Sequence, residues 1–175
     1  VSGEAELAII ASTWRSSLPH WKKEVEIERD RLNNLCAPIL DLARSADSFL
    51  VKRGSNLSLI AGYHWFDDWG RDAMIALPGL LLSTGRFEAA RQVLRSFAGA
   101  MKDGVLPNDL GAHSYNTVDA SLWFAQAVGR YYDATGDLDF VAELWPRLLE
   151  VVRRYSRAGE DFGADDDGLI ISGPA

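Results

Sequence analysis

Residues 62–79, GYHWFDDWGRDAMIALPG, constrain this chain more than any other stretch. Tyr63, Trp65, Phe66 and Trp69 stand there among Asp67, Asp68, Arg71 and Asp72, and the apolar run Ala73-Met74-Ile75-Ala76-Leu77 follows at once. The run is what a buried helix requires, while the residues ahead of it are costly to bury and too aromatic for a solvated loop. Flat aromatic faces beside carboxylates and a guanidinium suit a sugar. The rings stack on its C–H faces, and Asp and Arg hydrogen-bond its paired hydroxyls. On spacing alone, an aromatic core patch with Arg71 in a structural ion pair is an equal reading.

A second loaded stretch, YNTVDASLWF at residues 115–124, also lies where a long loop enters an apolar helix. Asp119 and Trp123 are four apart and share one helix face. One reading makes Asp119 an acidic residue at a helix N-terminus, with Thr117 as the N-cap. The other turns Asn116, Asp119 and Trp123 toward the pocket of Arg71 and Asp72.

Around these stretches the pattern is helical. Charged residues in WKKEVEIERDRL, with pairs such as Lys22–Glu26, make a solvated helix over residues 21–35, after a shorter helix over residues 4–14. Pro38 opens a helix over residues 37–51 with Ile39, Leu42, Ala43, Ala46 and Leu50 on its buried face, residues 53–56 break it, and residues 57–61 form a short apolar extended piece. The helix after Arg71 runs through Leu82, is kinked by Pro78 and ends at Gly85. Further helices are expected over residues 86–102, 117–132 and 138–156. Pro146 leaves the start of the last one open, and residues 159–175 read as an acidic, Gly-rich loop. No sheet is expected. Helices separated alternately by short gaps and long polar-aromatic loops suggest stacked hairpins. GRFEAARQVL and TGDLDFVAELWPRLLEVV also look like tetratricopeptide-type repeats. A non-catalytic repeat scaffold is therefore the main alternative to an enzyme.

The formal net charge of −7 over 175 residues argues against a nucleic-acid partner. A neutral polyhydroxyl ligand needs no net field. Cys36 is the only cysteine, which fits a reducing, cytoplasmic-type compartment, and no apolar run reaches the length of a membrane span. His64 and His113 lack metal-ligand spacing, and Asp165-Asp166-Asp167-Gly168 reads as an acidic surface turn. No cofactor is expected.

AGYHWFDDWGRDAMIALPGLLLSTGR, then GVLPND, YNTVDASLWF and YYDATGD, together resemble the C-terminal, amylo-α-1,6-glucosidase domain of glycogen debranching enzymes of the bacterial and archaeal type. The resemblance spans residues 37–175, and residues 1–36 resemble the connector leading into that domain. It implies an all-α fold, an (α/α)6 barrel with its active site in the mouth formed by the long loops. It also implies hydrolysis of the α-1,6-linked glucose left at a branch stub of glycogen or a related α-glucan. Trehalase-like and epimerase-like (α/α)6 enzymes share the barrel but not both motifs. Carried over, Arg71 and Asp72 bind the hydroxyls of the terminal glucose and Trp69 walls the subsite. Trp65 and Asp67 lie beside them, and Asn116, Asp119 and Trp123 line the same pocket.

Related glycosidases invert at the anomeric carbon, with an acid and a base roughly 6.5–9.5 Å apart. In the family the acid lies in a threonine-tryptophan-methionine-aspartate motif beyond a loop like GLIISGPA, and the base lies further on. Both are therefore expected beyond Ala175, with Asp119 the one candidate for proton chemistry within the chain. Twelve helices of about 12 residues, with loops of about 4–6, exceed this length. The expectation is the first half of a barrel whose exposed helix faces await the remainder, and which associates or folds poorly when alone.

Overall fold

The structure, a computed structural model, describes residues 21–35, 39–157 and 162–172. The chain divides into two units, Val1–Asn34 and Leu35–Ala175. In the first, helix α1 (Trp21–Asn33) is the charged helix read from the sequence, and Arg31 pairs with Glu28 one turn away. The expected helix over residues 4–14, the Lys22 side chain, Cys36 and Pro38 lie outside the described residues.

The second unit opens with α2 (Leu40–Asp47), which is shorter than the helix expected over residues 37–51. Its buried residues are Ala43 and Ala46, whereas Leu42, assigned to the buried face, is 70% exposed. The chain then enters a hairpin that the helical reading did not contain. Strand β1 (Leu50–Arg53) pairs antiparallel with β2 (Asn56–Leu59) in the register Leu50↔Leu59 to Arg53↔Asn56. Gly54 supplies the positive φ, +60°, that a two-residue hairpin turn favours. What looked like a helix breaker is a strand-reversing turn. Alternation divides the hairpin: Leu59 is buried in the core with Leu50 and Leu57 against it, while Arg53, Val51 and Ser58 share the opposite face.

Helix α3 (Gly70–Leu77) buries Ala73, Met74 and Leu77. Pro78 does not simply kink it. The missing N–H removes the bond back to Met74, and the chain widens into a π-helical segment, Pro78–Leu82, in which the Ser83 N–H donates to the Pro78 carbonyl at 2.9 Å. Gly85, at φ +73°, ends it as expected. Arg86 then ties back, donating to the Leu80 carbonyl at 2.6 Å and pairing with Asp47 at 2.7 Å.

Helix α4 (Phe87–Ala100) repeats Ala90, Val93, Leu94 and Phe97 on one face, all fully buried. Helix α5 (Ala120–Thr135) buries Phe124, Ala127 and Val128, and Gly136 closes it at φ +68°. Helix α6 (Leu138–Tyr155) starts at the N-cap Asp137, whose carboxylate accepts the Phe140 N–H, and continues unbroken past Pro146. Helix α3 packs on α5, α4 lies against β2, α5 and α6, and Phe97, Phe124 and Phe140 fill the core. Each such burial is worth about 1.5–3 kcal/mol relative to exposure. The stretch read as a C-terminal loop forms a second hairpin, β3 (Phe162–Ala164) with β4 (Ile170–Ser172), around an acidic turn. Asp165 and Asp167 accept hydrogen bonds from the turn's own backbone.

Candidate functional site

The first loaded stretch is stitched through its backbone to the loop that leads into the second. The Gly70 N–H donates to the Asn108 carbonyl at 2.9 Å, and the Leu110 N–H donates to the Asp68 carbonyl at 3.2 Å. Asp109 forms isolated antiparallel bridges with Trp69 on one side and Ser114 on the other. At Gly70 the approach leaves no room for a side chain: a Cβ there would sit 2.2 Å from the Pro107 carbonyl oxygen. Downstream, the buried Leu106 N–H donates to Ser121 Oγ at 2.8 Å, which fixes the loop against the first turn of α5.

Below this seam lies a charge cluster. Asp68 is fully buried, and its carboxylate takes Arg53 Nε at 2.6 Å, Arg53 Nη2 at 2.5 Å and Ser58 Oγ at 2.9 Å. Arg53 and Ser58 are diagonal neighbours on one face of the β1–β2 hairpin, a spacing of roughly 7–8 Å between backbones that leaves room for a carboxylate between their tips. Arg53 also donates to Asp67 at 2.6 Å. The Asp68 hydrogen bond, helped by the charges of Asp67 and Asp109, raises the Arg53 pKa above its already high value.

Above the seam, Arg71 in the first turn of α3 reaches Asp119 at the N-cap of α5. Nε donates to Oδ1 at 2.8 Å and Nη2 stands 2.6 Å from the same oxygen. Both side chains are nearly half exposed, at 46% and 42%. Asp119 Oδ2 takes no hydrogen bond among the described residues, and Asp119 makes no side-chain cap hydrogen bond to α5. The helix starts at Ala120, so Thr117 is not its N-cap; it is buried and its hydroxyl has no hydrogen-bond partner among the described residues.

Of the residues singled out from sequence, the structure joins Arg71 to Asp119 and sets Trp69 beside them in the chain, edge-on to Phe66 at 5.9 Å between ring centres. Asp72 and Asn116 are exposed and make no side-chain hydrogen bond or ion pair among the described residues. Trp65 is 85% exposed and touches His64, Asp67 is held by Arg53, and Trp123 is half-buried against the core. Sequence reasoning passed over Arg53, Ser58, Asp68 and Gly70. The doubled acid Asp67-Asp68 was the available signal, since one of two adjacent acids in an otherwise apolar setting calls for a buried cation.

Residues 44–175 match the family described as amylo-alpha-1,6-glucosidase, and the chain belongs to that family. It is also similar to a glycogen debranching enzyme of Saccharomyces cerevisiae, with 47% identity over 101 residues. That alignment covers 56% of this chain and 6% of the yeast protein, so the chain spans only a small part of the relative's length.

Proposed function

We propose that this chain is the glucose-gripping part of a debranching glucosidase that hydrolyses α-1,6-linked glucose at the branch stubs of glycogen or a related α-glucan. The observation that carries the reading is the Arg71–Asp119 pair: two motifs far apart in sequence converge on one exposed, charge-bearing point at the ends of α3 and α5. Arg71 has further N–H donors beyond those directed at Asp119, and Asp119 keeps Oδ2 free for a hydroxyl. Together they offer a donor and an acceptor to a vicinal diol, Asp72 and Asn116 add two exposed polar groups, and Trp69 supplies a ring for the sugar's C–H face. Family membership and the yeast relative's name support this choice of substrate.

The arrangement belongs to an (α/α)6 barrel in this reading, with the remainder of the barrel supplying the carboxylic acid and the base. Reaction is by inversion, with one water held between them and the acid protonating the leaving oxygen. Asp119 serves binding, because its carboxylate is committed to a guanidinium. The reading places the protein in the cytoplasm, with the glucan as its partner.

The test is glucose release by the full-length protein from a maltooligosaccharide bearing one α-1,6-glucosyl stub, with a linear oligosaccharide as control. Free glucose from the stub substrate and little from the control is expected. No release from a folded protein would overturn the assignment.

A further inference from the structure

We infer that Arg53, a residue of the β1–β2 hairpin outside both loaded motifs, is a positioning residue for the glucose site and acts through Asp68. This rests on the function proposed above.

Two segments beside the site, residues 67–70 and the 108–114 loop, connect back to this guanidinium. Asp68 is fully buried and its carboxylate is neutralised by Arg53, with Ser58 as its other donor. Its own carbonyl accepts the Leu110 N–H, so holding Asp68 also holds the 108–114 loop. Gly111 of that loop lies against the guanidinium, where an added Cβ would come within 3.3 Å of Arg53 Nη1. The next carboxylate, Asp67, takes the second Arg53 contact, and its carbonyl accepts from the Ala61 and Trp69 N–H groups. Trp69, Gly70 and Arg71 follow without a break, and Gly70 closes the seam on Asn108.

Arg53 therefore fixes the path of residues 67–70, and Arg71, the next residue, meets Asp119. The guanidinium suits this task because its planar fork reaches two carboxylates at once; a lysine ammonium is a point charge and cannot match that geometry. Among the described residues Arg53 makes no hydrogen bond or ion pair with Arg71, Asp119 or Trp69, so in this reading its influence on the sugar is indirect.

The test uses the full-length enzyme. Wild-type glucose release from the stub substrate is measured first; its absence would refute the proposed function and not this inference. Given activity, Arg53→Lys keeps the charge but loses the fork. Its KM for the stub substrate is expected to rise about tenfold, because the grip on the terminal glucose is misaligned in ground and transition states alike. A merely structural role lowers the folded fraction and hence apparent kcat, but leaves KM unchanged.

Hydrogen exchange gives a readout apart from activity. The Gly70 and Leu110 amides are expected to exchange at least about tenfold faster in the variant, while amides in the middle of α4 keep their protection. Should Arg53→Lys fold poorly, Arg53→Met/Asp68→Leu removes both charges and leaves no uncompensated carboxylate in the interior. It too is expected to show the raised KM and the loosened seam. A folded variant of either kind with wild-type KM and wild-type exchange at Gly70 and Leu110 would overturn the inference.

Discussion

Arg71 and Asp119 stand 48 positions apart in sequence, and Arg71 Nε lies 2.8 Å from Asp119 Oδ1. The pair joins the start of α3 to the start of α5 at the surface, where water screens it. Its contribution to stability is therefore small, below about 1 kcal/mol. In the function proposed above, its contribution to a bound sugar is larger, because a charge-assisted contact forms as solvent leaves. Arg71→Ala in the full-length enzyme is expected to keep the wild-type melting temperature within a few degrees and to lower kcat/KM about 100-fold or more. Near-normal turnover would remove Arg71 from the site.

Asp119 separates binding from proton chemistry. A carboxylate that accepts a hydroxyl and orients Arg71 can be replaced by an amide at a cost in affinity, whereas loss of a general acid or base removes a limb of the pH–rate profile. Asp119→Asn is expected to raise KM and leave both limbs of the kcat/KM profile in place. A missing limb would make Asp119 a catalytic group.

Two glycines make an internal control for the seam. Gly70 faces the Pro107 carbonyl at 2.2 Å from where a Cβ would stand, while Gly79 has nothing within 4 Å. Gly70→Ala must push two backbones apart and is expected to cost about 1–3 kcal/mol, with activity falling alongside. Gly79→Ala, in the π-helical segment, should be neutral or stabilising by up to about 1 kcal/mol through the unfolded chain. Equal melting temperatures for the two variants would show that the seam is not tight at Gly70.

The contrast between these positions shows what was legible beforehand. Helices α4, α5 and α6 follow directly from apolar spacing, and the Arg71 and Asp119 motifs announce themselves because polar and aromatic residues crowd ahead of apolar runs. Strand β2 falls largely within the piece read as extended, but β1 and the pairing were not legible, since Phe49-Leu50-Val51 continue an apolar helical pattern and only the pairing with residues 56–59 decides for strand. The role of Asp68 was hidden for the same reason. Its partners Arg53 and Ser58 are 15 and 10 positions away, and nothing local says which of two adjacent aspartates turns inward. Thr117 misled because a Ser/Thr before an apolar run is a good cap signal, yet the chain turns into α5 two residues later at Asp119.

The cap of α6 carries a pH dependence whose sign is determined. Asp137 Oδ1 accepts the Phe140 N–H at 3.0 Å and Oδ2 accepts the Tyr131 hydroxyl at 3.0 Å, with Arg91 at 3.6 Å. The backbone N–H first, then the Tyr131 hydroxyl and the Arg91 charge, hold this carboxyl below its ordinary value. Burial and the bond to Asp137 raise the Tyr131 pKa, so Tyr131 stays a proton donor throughout the acid range. Because the folded pKa of Asp137 is depressed, its stabilisation is fully present above the unfolded value of about 3.9 and fades as pH falls through the folded value. Asparagine can cap the helix but does not titrate. The melting temperature of the glucosidase domain in the full-length protein should therefore fall less steeply between about pH 5 and pH 2.5 in Asp137→Asn than in wild type. Parallel acid limbs in the two proteins would show that the carboxylate's charge does not contribute to the stability of α6.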